Sequence, residues 1–132
     1  MSAIPMSSFL RTALLIDAGA TAATGMLLAA GASFLSGILG LPSAFLIAAG
    51  LPLLPFAAFV AWLGTRRTGW PAAIQLVVWS NAVWVAASVG VVAARVFEPT
   101  FLGVGFILAQ AAAVGAFATF QFVGLRRVHL TA

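Results

Sequence analysis

Polar residues interrupt this chain so sparsely that its hydrophobic positions fuse into four long stretches joined by short, punctuated links. The stretches run from about Phe9 to Phe34, Ala44 to Gly64, Pro71 to Arg95 and Phe101 to Leu125. Roughly 20 apolar residues cross the hydrocarbon core of a bilayer, so each stretch predicts one transmembrane helix. The links carry the turn chemistry expected between helices. Gly37, Gly40 and Pro42 punctuate the first, Thr68 and Gly69 the second, and Glu98-Pro99-Thr100 the third. The expected fold is an all-α, four-helix transmembrane bundle spanning residues 1–132 as a single domain.

Local residues refine each helix. The first stretch ends in Ala30-Gly31-Ala32, a small-residue pattern of the kind that signal peptides use for cleavage. Its apolar run exceeds the usual core of about 7–15 residues and contains Asp17, so it reads as a retained helix. Residues 33–43 form a connection apolar enough to lie in the membrane interface. The second stretch holds Pro52 and Pro55, which deprive the carbonyls of Ala48 and Leu51 of their usual amide partners. A bend of more than about 20° is expected between Ala48 and Pro55. Pro71 is well placed in the first turn of the third helix.

Two hairpins resemble each other. The run Asp17 to Thr24 aligns with Asn81 to Ser88, matching Asp to Asn, Thr to Ser and three alanines. Pro42-Ser43 is echoed by Pro99-Thr100, and Gly64-Thr65-Arg66-Arg67 by Gly124-Leu125-Arg126-Arg127. Both copies start on the same side, so the repeat is parallel and implies a pseudo-twofold along the membrane normal.

Composition agrees with the pattern. Of 132 residues, 64% are hydrophobic and 6% charged, against about a quarter charged in soluble domains. Mean hydropathy is +1.19. The net charge of +4 comes from six arginines and two acids, and their placement matters more than their sum. Arg11, Arg66, Arg67, Arg126 and Arg127 collect on one side, whereas Arg95 and Glu98 offset one another on the other. Positive residues favour the cytoplasm, so both termini and the middle link are expected inside, with Trp62 and Trp70 as anchors at the inner boundary. These arginines face lipid heads; they are not a nucleic-acid footprint.

Candidate chemistry is sparse. With no cysteine and only His129, beyond the last stretch, neither thiolate metal sites nor a bis-histidine haem can be built. Catalytic triads and phosphate-binding loops lack their parts as well. No cofactor and no enzyme activity are expected.

Asp17 is the one acid inside a stretch, about 12 Å from the inner boundary at 1.5 Å per residue. A carboxylate near the bilayer centre costs about 2.5–3.5 kcal/mol on insertion scales, so it is expected to face the protein interior. One reading makes it a proton or cation site. The other makes it a neutral carboxyl that donates to the carbonyl of Asn81, its repeat equivalent, fixing helix register. Asp17, Thr21 and Thr24 share one helical face, as do Asn81, Trp84 and Ser88, while Gln110 reaches the same level from the fourth helix. Asp17, Thr21, Thr24, Asn81, Ser88 and Gln110 form the candidate polar cluster. Gln75 and Gln121 are expected to pair near the inner interface. The second helix, free of polar side chains, is expected to face lipid or to fit a neighbour with Phe56 and Phe59.

Small-residue pairs (Thr21–Gly25, Gly19–Ala23 and Gly115–Thr119) permit close helix approach. They serve packing within the bundle or, on the sharper reading, contact with a second copy or another membrane protein.

An acid in the first of four short helices resembles the small multidrug resistance transporters. Those carry Glu there with Tyr beside the substrate, whereas this chain has Asp17, no Tyr and a strong charge bias, so the similarity is read as convergent. More of the chain resembles a group of small four-helix inner-membrane proteins of proteobacteria that have no established activity. The resemblance rests on Leu14-Leu15-Ile16-Asp17-Ala18, Gly40-Leu41-Pro42 and the run from Leu54 to Leu63. It implies a multi-pass location in the bacterial inner membrane, with the bilayer as the first partner. The function expected is that of a non-enzymatic accessory or structural subunit; the alternative is a small proton- or cation-coupled transporter using Asp17.

Overall fold

The computed structural model describes residues 2–131, with side chains through Val128, and four of its helical spans are long and apolar enough to cross a membrane. The chain is a multi-pass helical membrane protein. Its elements in order are β1 (Ile4–Pro5), α1 (Ser8–Ala30), α2 (Ala32–Leu39), α3 (Ser43–Gly50), α4 (Leu53–Thr65), β2 (Thr68–Gly69), α5 (Pro71–Ala93) and α6 (Phe101–Thr131).

Each boundary has a local cause. Ser7 caps α1, its Oγ accepting the amide of Leu10 at 3.1 Å, which satisfies one of the free N–H groups of the first turn. The helix closes at Gly31, so the first span is shorter than the expected 9–34. The connection that follows is itself helical, as α2, rather than an irregular link. It stops at Gly40, whose φ of +68° is the left-handed conformation that glycine adopts without penalty. Arg95, at φ +52°, does the same after α5 at greater steric cost, and the Val96 amide returns to the Val91 carbonyl at 3.3 Å.

The second span divides instead of simply bending. Pro52 ends α3, and Pro55, with no amide to give, leaves the Leu51 carbonyl to the Leu54 amide at 3.2 Å in a tighter turn. The fourth helix runs past its expected end at Leu125 and takes in Arg126 and Arg127; the His129 side chain lies outside the described part.

Short ties hold the two ends of the bundle. At one end β1 pairs antiparallel with β2, and the Met6 amide reaches the Arg67 carbonyl at 2.9 Å. The N-terminal segment therefore lies beside the middle link, with Ile4 and Met6 buried. The guanidinium of Arg127 lies 5.1 Å from the Phe9 ring, which brings the end of α6 to the same face. Arg11 Nε donates to the Gly64 carbonyl at 3.2 Å, and Arg66 lies over Trp62 and Trp70 at 4.9 and 5.3 Å. Five of the six arginines thus share one end of the molecule. At the other end Thr100 fastens α2 to α6: its amide donates to the Leu39 carbonyl at 2.9 Å and its hydroxyl to Ile38 at 2.7 Å. The same hydroxyl accepts the Gly103 amide as the cap of α6.

Packing is led by α1 on α4 within the first hairpin and α5 on α6 within the second. Far from lying against lipid alone, α4 buries Ala57, Val60, Leu63 and Gly64. Between the hairpins α1 lies mainly against α6, while α4 and α5 have no comparable contact. A twofold along the normal would make those two pairs equivalent, so the packing departs from the symmetry that the repeat suggests. The core forms two clusters. One lies around Leu10, Leu14, Val60, Leu63, Ile74 and Val77 near the arginine-rich end, the other around Leu28, Leu39, Leu41, Leu46 and Ile107.

Candidate functional site

The site begins with Asp17, which α1 turns fully into the bundle, with no exposed surface. Three donors converge on it. Thr21, one turn later on the same helix, donates its hydroxyl to Oδ1 at 2.9 Å. Asn81 of α5 donates Nδ2 to Oδ2 at 2.8 Å, and Gln121 of α6 donates Nε2 to the same oxygen at 2.7 Å. Asn81 Nδ2 also lies 3.2 Å from Gln121 Oε1, closing the group into a ring. Three helices are joined through one carboxyl group.

This geometry changes the expected chemistry in one respect. Asp17 was expected to donate to the Asn81 carbonyl; instead the amide of Asn81 donates to the carboxyl group. The reason is Gln121, which supplies a second amide at the same level. With two amides and a hydroxyl pointing inward, the carboxyl oxygens serve as acceptors. The expected pairing of Gln121 with Gln75 does not occur, since Gln75 is exposed and Gln121 is completely buried.

Sequence reading left Gln121 out of the cluster. One signal was present: Gln110 and Gln121 lie eleven residues apart, about three helical turns, so they share a face of α6.

Gln110 and Ser88 belong to a second group with Trp84, one to two turns further along the bundle, and Thr24 lies at the same level. Trp84 donates Nε1 to Gln110 Oε1 at 2.7 Å, and Gln110 Nε2 donates to Ser88 Oγ at 3.0 Å and to the Ile107 carbonyl at 2.8 Å. Ser88 returns its proton to the Trp84 carbonyl at 2.8 Å. Thr24 donates to the Ala20 carbonyl of its own helix at 2.8 Å. The six candidates therefore divide: Asp17, Thr21 and Asn81 meet directly, and Ser88 and Gln110 meet around Trp84. Thr24 contacts neither group by a hydrogen bond.

Two cavities flank the second group. The larger, of about 250 Å³, lies where α4 and α5 part, and the smaller, of about 160 Å³, continues beyond it. Thr24, Trp84 and Gln110 line both, so the Trp84–Gln110 pair forms the partition between them. Asn81 borders the larger cavity, but Asp17 and Gln121 border neither.

Comparison with family models, with curated proteins and with solved structures gives no match to this chain.

Proposed function

We propose that this is a non-enzymatic protein of the bacterial inner membrane, an accessory subunit of other membrane proteins or a self-associating structural module, in which Asp17 is a structural tie. One observation carries the reading. Both carboxyl oxygens of Asp17 are occupied by side-chain donors from α1, α5 and α6, and the group borders neither cavity. A proton or cation carrier needs a site that opens to a pathway, whereas a tie needs saturation and burial. The absence of cysteine from the sequence and of histidine from the spans supports a role without catalysis. The resemblance to small four-helix inner-membrane proteins of proteobacteria supports the location.

The transporter reading keeps one observation in its favour. Asn81 and Thr21 each touch Asp17 and also line the larger cavity, so one layer of side chains separates the acid from open space. Reconstitution decides between the two. Liposomes containing the protein and a trapped pH-sensitive dye are expected to collapse an imposed proton gradient no faster than empty liposomes, with Asp17→Asn giving the same trace. A flux that is present in the native protein and lost in a folded Asp17→Asn variant would establish transport instead.

Orientation follows from charge. The arginine-rich end is proposed to face the cytoplasm, because positive residues near span ends resist translocation. A cysteine introduced by Ser36→Cys is expected to react with an impermeant thiol reagent on intact cells. One introduced by Thr68→Cys should react only after the membrane is opened. The reverse pattern would invert the topology.

A further inference from the structure

The larger cavity is a trough walled by α4 and α5 and floored by α1 and α6. Its apolar surface includes Phe56, Trp84 and Phe117, and no charged residue lines it. Most of its hydrogen-bonding groups have their protons committed elsewhere, the exception being the Ser80 hydroxyl, which lines the cavity and makes no hydrogen bond among the described residues. Thr21 Oγ1 donates to Asp17, Thr24 Oγ1 donates to Ala20, and Asn81 Nδ2 is held by Asp17 and Gln121. Beside the one free donor of Ser80, what Thr21, Thr24 and Asn81 still offer to the cavity is acceptor capacity.

Asn81 offers it most directly. The residue is 4% exposed, and its Oδ1 has no hydrogen-bond partner among the described residues. Its Nδ2 is fixed on the side of Asp17 and Gln121, which do not line the cavity, so the planar amide turns Oδ1 to the opposite side, where the cavity lies. Since Oδ1 is not among the buried unpartnered atoms, it keeps surface open to the cavity, where an incoming donor can reach it.

We propose that this trough binds a small, neutral, mainly apolar molecule bearing one hydroxyl or N–H donor, which it presents to Asn81 Oδ1. Size sets the class. A dry cavity of about 150 Å³ admits benzene, and drug-sized ligands need about 300 Å³ or more, so 250 Å³ suits a substituted benzene or a molecule of similar bulk. Neutrality follows from the lining, where no carboxylate or arginine is available to pair with a charge. The break at Leu51–Pro52 places Pro52 and Leu53 on the cavity wall, where an unbroken helix would run on.

Two tryptophans allow a controlled test in lipid nanodiscs. Trp84 lines the cavity, whereas Trp79 is 66% exposed on the outer surface of the same helix. Single-tryptophan proteins retaining one or the other, with Phe at the remaining tryptophan positions, are titrated with 4-bromophenol, whose bromine quenches indole fluorescence on contact. Saturable quenching of Trp84 is expected, with Trp79 reporting only non-saturable partition into lipid. The donor-free 4-bromoanisole should bind about tenfold more weakly, the worth of one hydrogen bond in a dry site. Ala113→Phe, which fills the trough, should remove the saturable phase.

Equal, non-saturable quenching of both reporters would overturn the site. Equal affinity for the phenol and the anisole would overturn the role of Asn81, and tighter binding of 4-bromobenzylammonium would overturn neutrality. Equilibrium dialysis of the same compounds against the native chain repeats the comparison without substituted tryptophans.

Discussion

Replacing Asp17 with Leu is expected to destabilise the protein in detergent by about 2–3 kcal/mol, while Asp17→Asn costs less than about 1 kcal/mol. The difference follows from what each side chain leaves behind. Leucine removes the acceptor of Thr21, Asn81 and Gln121 together. Membrane hydrogen bonds average about 0.6 kcal/mol each, so three amount to about 2 kcal/mol. The Gln121 amide, fully buried, is then left without its main acceptor, which adds to the loss. Asparagine keeps the arrangement, since its Oδ1 can accept from both amides and its Nδ2 can donate to the Thr21 hydroxyl. Unfolding midpoints of the three proteins give the comparison. A double-mutant cycle of Asp17→Leu with Gln121→Leu should also show coupling of at least about 0.5 kcal/mol, because the residues share one network. If Asn and Leu cost the same, saturation by three donors is not what holds Asp17.

That network also marks where sequence reasoning ends. Asp17 and Asn81 were legible as partners because each lies at a similar distance along its span, and depth is a property of helix position alone. Gln121 is different. It sits five residues before Arg126, which reads as interfacial, yet α6 continues to Thr131 and draws Gln121 into the interior. The packing of α6 against α1, which turns Gln121 toward Asp17, sets its environment. The same holds for the small ties. A two-residue ladder such as β1 with β2 has no periodicity to detect, and the Thr100 cap depends on α2 arriving beside it. By contrast, the interruption at Leu51–Pro52 was legible because proline acts through its own ring and missing proton, whatever surrounds it.

A duplication of the hairpins would predict relationships that packing does not keep. Equivalent helices would give equivalent contacts, yet α1 meets α6 closely and the α4–α5 side stays open around the larger cavity. The polar residues explain part of this asymmetry. Asp17 recruits Gln121 as well as Asn81, which draws α6 onto α1. Its counterpart Asn81 carries no second recruit on α4, whose side chains between Leu53 and Gly64 are all apolar. With the acid on α1 alone, the bundle closes on the α1–α6 side.

Gly50→Ala is expected to cost about 2 kcal/mol despite the better helix propensity of alanine. Gly50 ends α3 where it crosses α1, and Gly25 faces it from the other helix. A methyl group at Gly50 would meet Leu28 Cβ at 2.7 Å and the Ala29 nitrogen and Gly25 carbonyl oxygen at 2.9 Å. Two of these neighbours are backbone atoms and cannot swing aside, so the helices must separate. Overpacking of this kind costs about 1–3 kcal/mol, more than the gain of up to about 1 kcal/mol from replacing glycine in a helix. Gly90→Ala supplies the control, because nothing lies within 4 Å of the added carbon and only the propensity gain remains. It should raise the unfolding midpoint slightly while Gly50→Ala lowers it. Gly50 also adjoins the break that sets Pro52 and Leu53 against the cavity, so parting α3 from α1 should weaken 4-bromophenol binding alongside stability. A Gly50→Ala protein as stable as the native one would mean that α1 and α3 yield at this crossing, and that close approach there does not fix the position of the cavity wall.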